Sequence, residues 1–411
     1  MSNLINQIRC RAAIFRIPLM VVLGTLYFSF NTYYLPHGLS VLILAGLACI
    51  PYVFLVNQYY RLVFAGISAL AVCHFILGAN LIFYGRSLVL LLAFIALFFV
   101  LVGFLKTEPK RYRWMVFFTV FNLVFLAIFL VIKYTPFQDM VWWTFFLSYS
   151  VGSYTRLKGL TYEPSYYAFM LTPLFLYYTH LLFNYRFRFT HVLLLGGLSI
   201  GFYLSFSLGV IMGLIASLGI TSIYFLARPV FVKRNRWPLV ISLASAIVSV
   251  ASIFAFLPQS PLVARLQDLI YGRDISANSR LFDSFRLSYR LLDGMHFFVG
   301  LGPGQLKWMG YNEIKEYYHY FYMDIWAPAM PNSVTDWLCT FGLLGLLLKL
   351  GLESYFFLKL RVYSDFFRMS CFVFMFIYQF TGGYLFSVPE LILWALAFTK
   401  PKPGIHKNWA R

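Results

Sequence analysis

Charge is scarce in this chain, and acidic charge scarcer still. Only 11% of its 411 residues are Asp, Glu, Lys or Arg, against 61% hydrophobic. A water-soluble domain carries roughly twice that charged fraction, so a soluble globular protein is excluded. Cysteine is sparse too. Cys10, Cys49, Cys73, Cys339 and Cys371 form no CxxC pair, and four of them fall inside apolar stretches. They read as small packing residues, not as disulfides or ligands. The histidines are scattered, with no HExxH or other metal-ligand spacing. The alternating strands of a membrane barrel are missing, and no internal repeat is visible. No small-residue cleavage site follows the first apolar stretch, which therefore reads as a span and not as a signal peptide.

What the chain does have is long apolar runs from end to end, such as 88–105 and 116–132. Each is about the 20 residues that cross a bilayer as a helix. The sequence predicts an all-α polytopic membrane protein, one integral membrane domain over 1–411. About twelve spans are expected, near 14–33, 38–56, 62–83, 87–105, 114–133, 163–183, 190–205, 209–227, 238–257, 333–352, 366–384 and 388–400. The stretch 190–227 is too long for one span, and Ser205-Phe206-Ser207-Leu208-Gly209 is its best break.

The net charge of +19 suggests nucleic acid until its distribution is read. With twelve alternating spans, 21 of the 33 Lys and Arg fall on one side with three acids, Glu108, Glu353 and Asp365. The other side carries equal numbers of each sign, and Lys349 sits within a span. By the positive-inside rule the basic side is the cytoplasm, with both termini there. The charge is thus a topology signal and a contact with anionic membrane lipids, and no nucleic-acid partner is expected. Two outer segments are long, 134–162 and 257–332. The second is a large periplasmic loop before span 10, far longer than an ordinary connection. It is rich in aromatics and charge, so it is expected to be ordered and partly helical.

The residues fit for chemistry lie in these outer segments. Arg156 and Lys158 lead through Glu163 into Pro164, which suits the first turn of a helix. Glu163 is either a cap only or, partly desolvated at the membrane edge, a general base. In the large loop, Ser276-Ala277-Asn278-Ser279 offers caps for an amphipathic helix near 280–293. Leu281, Phe282, Phe285 and Leu292 fall on one face, with Arg280, Asp283, Arg286 and Arg290 opposite. Such a helix lies on the membrane or roofs a cavity. Three guanidiniums on one face suit a phosphate or pyrophosphate; the plainer alternative is a solvated face paired with Asp283 and Asp293. Gly300-Leu301-Gly302-Pro303-Gly304 lacks the Lys-Ser/Thr of a phosphate loop and reads as a tight turn that brings backbone close to something. Asn332 is either the N-cap of the next span or a ligand for sugar or phosphate, and Asp336 follows one turn on. His319, within Tyr317-Tyr318-His319-Tyr320-Phe321-Tyr322, sits in an aromatic cluster that either stacks on sugars or forms an interfacial belt, the commoner arrangement. Asp283, Asp324 and Asp336 are further candidate bases.

In order along the chain, several short segments carry a resemblance. They are Arg156-Leu-Lys-Gly-Leu-Thr-Tyr-Glu-Pro-Ser-Tyr-Tyr-Ala168, Leu204-Ser-Phe-Ser-Leu-Gly209, Ser279-Arg280, Gly300-Leu-Gly-Pro-Gly304, and Asn332-Ser333 leading to Phe341-Gly-Leu-Leu-Gly345. Together, over residues 150 to 350, they resemble the Wzy-type O-antigen and capsule polymerases, in the superfamily that includes the O-antigen ligases. The resemblance implies a cofactor-free, metal-independent glycosyltransferase of the bacterial inner membrane, acting on the periplasmic face. Donor and acceptor would be glycans on undecaprenyl pyrophosphate, and a chain-length regulator would be a possible partner. Arg156 and Arg280 would hold the pyrophosphate, and Glu163 would take the acceptor proton. Lys158, Tyr166, Arg286, Arg290, Asn332 and His319 would contact substrate. The ligases tend to carry His beside the Asn that ends the long loop; here Pro331 precedes Asn332, which favours polymerase over ligase. A lipid-linked oligosaccharide flippase or other transporter is the reading from a different class. It would need charge at mid-membrane.

Overall fold

The computed structural model describes residues 34–35, 39–107, 111–148, 152–161, 163–184, 188–227, 261–319, 322–325, 328–383, 385 and 387–400. The predicted spans at 14–33 and 238–257 lie outside these.

Apolar runs without alternation have one stable form in lipid, the helix, because it satisfies its own backbone. The chain builds α1 (Val41–Val56), α2 (Gln58–Ile76), α3 (Leu81–Thr107), α4 (Arg111–Ile132), α5 (Pro164–Asn184), α6 (Phe189–Ser205) and α7 (Leu208–Leu226). The outer region adds α8 (Pro261–Ile270), α9 (Ser284–Leu291), α10 (Gly294–Val299) and α11 (Tyr311–Tyr317). It closes with α12 (Ser333–Lys359), α13 (Phe366–Tyr378) and α14 (Val388–Phe398). Among the described residues five helices are long and apolar enough to cross a membrane, and several shorter apolar ones accompany them. The protein is therefore a multi-pass membrane protein. The largest core cluster joins α5, α6, α7, α13 and α14 around Phe169, Leu174, Phe202, Phe374 and Leu393.

Three differences from the sequence expectation have clear causes. First, the break expected near 84–86 falls at 77–80. Gly78 takes φ +88° there, and the Asn80 side chain accepts from Ile82 and Phe83 N–H to start α3; the helix runs through Gly85. Second, the outer segment 134–162 contains a β-hairpin, β3 (Trp142–Ser148) and β4 (Gly152–Leu157), with Trp143 opposite Arg156. A second, short pair joins β1 (Tyr34–Leu35) to β2 (Leu39–Ser40). The run Trp-Trp-Thr-Phe-Phe has strand propensity, which apolar composition alone does not separate from a membrane belt. The fold is thus all-helical in its apolar body, as expected, with this hairpin appended.

Third, α12 is a broken helix. Gly342 stands at φ 66°, ψ −171° within it. On one arm, Ser333 N–H bonds Gly382 O and Val334 N–H bonds Gln379 O. On the other arm, Lys349 and Glu353 reach the Gln379 side chain, so the chain doubles back at the break. A break orphans carbonyls. Here Leu301 N–H takes Cys339 O at 2.8 Å and Gly302 N–H takes Thr340 O at 3.0 Å. The glycine turn read from sequence is therefore a backbone clasp on α12. A Cβ on Gly300 would strike the Thr340 carbonyl, and one on Gly342 the Phe298 carbonyl. The clasp is tied to α2 and α3 as well. His74 Nε2 donates to Val299 O at 2.8 Å, and Gln305 exchanges two amide bonds with Asn80.

Candidate active site

The turn from β4 into α5 fixes two of the expected residues. Gly159 takes φ +58° with its α-carbon close against the Tyr167 ring. The Thr161 hydroxyl sits between the carbonyls of Lys158 (2.6 Å) and Glu163 (2.9 Å). Glu163 O then accepts from Tyr166 and Tyr167 N–H, opening α5 with Pro164 first. Arg156 and Glu163 thus leave one short, pinned turn towards the same space.

The break between α6 and α7 supplies the opposite wall. Phe206 adopts the left-handed conformation at φ 47°. Arg156 Nε donates to Ser205 O at 3.0 Å and its Nη2 to Phe206 O at 3.3 Å, while Arg265 Nη1 donates to Phe206 O at 2.8 Å. Two arginines are thus anchored on the negative end of α6. Arg265, from α8, also meets Asp274 Oδ2 at 3.3 Å. The first intrahelical bond of α7 is Ile211 N–H to Ser207 O, and the Ser207 side chain makes no cap bond. The N–H groups of Leu208, Gly209 and Val210 therefore have no acceptor within the helix.

Arg280 comes from the outer helix, whose geometry departs from expectation. Helix begins at Ile275, capped by the Asp274 side chain on Ala277 N–H, and passes through a π-turn at Ser279–Asp283 into α9. The extra residue per turn rotates the faces. Ser284, Leu287, Ser288 and Leu292 are buried, whereas Phe282 is 58% exposed and Leu281 and Phe285 exceed a third. Of the predicted apolar face only Leu292 packs inward. Cys339 Sγ donates to Ser288 Oγ, and Asn332 Nδ2 donates to Arg280 O at 2.5 Å and to Ser284 Oγ at 2.8 Å. Asn332 Oδ1 accepts from both Thr335 N–H and its hydroxyl at 2.8 Å. The Asn332 amide, fully buried, is committed to holding the Arg280 backbone to the start of α12.

These parts enclose a cavity of ≈ 130 Å³ lined by Arg156, Arg265, Arg280, Glu163, Trp143, Ser165, Ser207, Gly209 and Ser276, among others. At roughly 10–15 Å³ per water, it has room for a small hydrated anion. The uncapped start of α7 and the start of α5 both line it. A narrower cleft of ≈ 10 Å³ adjoins, lined by Glu163, Tyr166, Phe169, Arg280, Pro331, Tyr378 and Gly383. Glu163 and Arg280 belong to both and stand between them. Burial, followed by the Arg265 charge, pushes the Arg156 guanidinium down to about 9; Glu163 and Asp274 pull the other way and Arg280 adds to the repulsion. Cations crowded at two positive helix ends favour a bound anion.

The remaining expected residues are elsewhere. Lys158 is half-buried but lines neither space. Arg286 is exposed. Arg290 pairs with Glu313 at 3.6 Å and lies over the Tyr317 ring. His319 is exposed at φ 54° beyond α11. Of the alternative bases, Asp283 accepts from Tyr317 OH, Asp336 accepts from Leu385 N–H, and Asp324 is exposed; none lines the cavity. Arg265 was missed. Its signal was present in Val263-Ala264-Arg265-Leu266, a lone cation on an amphipathic turn, but nothing local separates it from a solvated arginine. Among the described residues no group of three or more His, Cys, Asp or Glu is arranged to hold a metal ion. No protein-family model matches this chain, and no curated protein matches it.

Proposed function

We propose that this chain is a membrane glycosyltransferase of the Wzy polymerase type, joining saccharide units carried on undecaprenyl pyrophosphate. The observation that carries the reading is one cavity where Arg156, Arg265, Arg280 and two helix starts converge, with Glu163 on its wall. The pyrophosphate of the donor binds among the arginines, which give forked donors to its oxygens. An acceptor sugar occupies the side of the aromatic cleft, against Tyr166 and Tyr378. Its hydroxyl oxygen attacks the donor's anomeric carbon as Glu163 takes the hydroxyl proton. The anomeric C–O bond breaks and its electron pair leaves with the lipid pyrophosphate, whose growing charge the arginines and helix ends stabilise. The reaction belongs to the periplasmic face of a bacterial inner membrane, with both chain termini cytoplasmic. A chain-length regulator is a fitting partner, and ligation of finished polymer is the neighbouring reading.

A transporter of lipid-linked glycans is the second reading, and one observation favours it: Lys349, Glu353 and Glu390 are buried among apolar helices. One experiment separates the three. A deletion strain is profiled for surface polysaccharide and carrier-linked glycan, then complemented with wild type or Glu163→Gln at matched protein levels. If the chain is the polymerase, the deletion leaves single repeat units transferred and no ladder, wild type restores the ladder and Glu163→Gln does not. Full-length polymer stranded on its lipid carrier would instead mean a ligase. Repeat units trapped on the cytoplasmic face would mean a transporter and would overturn the site roles.

A further inference from the structure

A second group of charges lies apart from the cavity, and glycosyl transfer makes no use of it. Lys349 Nζ is 2.5 Å from Glu353 Oε1, one turn along α12, with both side chains nine-tenths buried. Gln379, just past α13, closes a ring: its Oε1 accepts from Lys349, and its Nε2 donates to Glu353 Oε2 at 3.2 Å. Glu390, in the first turn of α14, is placed differently. Its Oε1 is 3.5 Å from both Ser333 Oγ and Trp394 Nε1. Its Oε2 is buried with no hydrogen-bond partner among the described residues. That oxygen faces Gly383, where a Cβ would stand 3.0 Å away, and Gly383 lines the aromatic cleft beside Glu163.

The charges acting on Glu390 are Lys349 and Glu353, both from α12. Gln379 from the α13 end joins the same cluster, and Trp394 comes from α14 itself. Lys349 is already committed by direct contact to Glu353, and that pair is neutral as a unit. An ionised Glu390 would add one buried negative charge with one bare oxygen. In an apolar interior such a group takes up a proton instead of remaining charged. We infer that Glu390 is a proton-binding site whose carboxyl carries a proton on Oε2 in the resting protein and exchanges it on the Gly383 side. The proton comes from water and bonds to an oxygen lone pair; no other bond changes. The inference holds whatever the chain does to glycans.

Infrared spectroscopy of the purified full-length protein near neutral pH tests it directly. The C=O stretch of a protonated carboxylic acid should lose a component in Glu390→Gln and keep it in Glu163→Gln. Superimposable spectra of wild type and Glu390→Gln in that region would overturn the site. Because Gln copies a neutral carboxyl, Glu390→Gln should also shift the thermal midpoint by no more than about 2 °C. A fall of more than about 5 °C would show that the native group is ionised, and would overturn the inference equally.

Discussion

Three arginines meet two carboxylates at the outer site, Glu163 on the cavity wall and Asp274 against Arg265; one lysine meets two carboxylates among α12, α13 and α14. The first group is cationic and encloses open volume. The second is anionic by the same count; Lys349, Glu353 and Gln379 bond one another directly, and Glu390 stands beside them with one bare oxygen. Excess positive charge beside open volume suits an anionic ligand. Unmet charge without volume is completed by a proton. The two regions are linked through the Gly383 segment, which lines the aromatic cleft on one side and touches Glu390 on the other.

Substitution should separate the two regions most sharply. Arg280→Ala removes one donor from the cavity, and its activity in glycan polymerisation should fall by about 10²–10³-fold with the fold intact. Lys349→Met takes the cation from a buried pair. It should lower stability by about 3–5 kcal/mol, because Glu353 is left uncompensated. Thermal midpoints measured beside activity decide the matter. An Arg280→Ala protein that unfolds as readily as Lys349→Met would mean that the cavity arginines are structural, and the contrast would collapse.

A smaller effect follows from Arg156. Its value of about 9 lies below the ordinary 12.5 of arginine. Folding therefore carries a cost below pH 9 that is relieved as pH rises towards the unfolded value, where the unfolded chain binds the proton more tightly. A bound anion offsets the same cost by favouring the charged form. Inorganic pyrophosphate at a hundredfold excess over its dissociation constant should stabilise the protein by about 2.7 kcal/mol near pH 7. The same pyrophosphate concentration should stabilise Arg156→Ala much less, because that variant lacks one of the three cations of the cavity. Calorimetry of both proteins near pH 7 reads the difference. An equal gain in both would place the anion away from Arg156.

How much of this was legible differs between the regions for a physical reason. The α6–α7 break at Phe206, the proline start of α5 and the glycine turn at 300–304 were readable because each is a local backbone requirement. Arg156, Glu163 and Arg280 were readable as charges leading into helices, which apolar surroundings make conspicuous. Arg265 was not, because its role depends on Phe206 O, held by contacts distant in sequence. Nor was the face of α9, because a π-turn shifts the phase that a 100° wheel assumes. In a straight α12, Glu353 would stand far from Ser333 and Gln379. The break at Gly342 folds it back onto Gln379 instead. No periodicity in 333–352 announces that reversal.

Arg290 lies outside the cavity, and it carries the smallest expected effect. In sequence it shares a helix with Arg280 and looks equally suited to phosphate. In the folded chain it is 59% exposed, 3.6 Å from Glu313, with the Tyr317 ring beneath it. An exposed pair of this kind is worth about 1 kcal/mol or less, and salt screens it. Arg290→Ala should therefore leave polymerisation within about twofold of wild type and lower stability by about 1 kcal/mol or less. A loss of ten-fold or more, measured beside Arg280→Ala, would show that substrate runs along the outer helix well past the π-turn. The anion site would then be a groove along that helix instead of a cavity at its start.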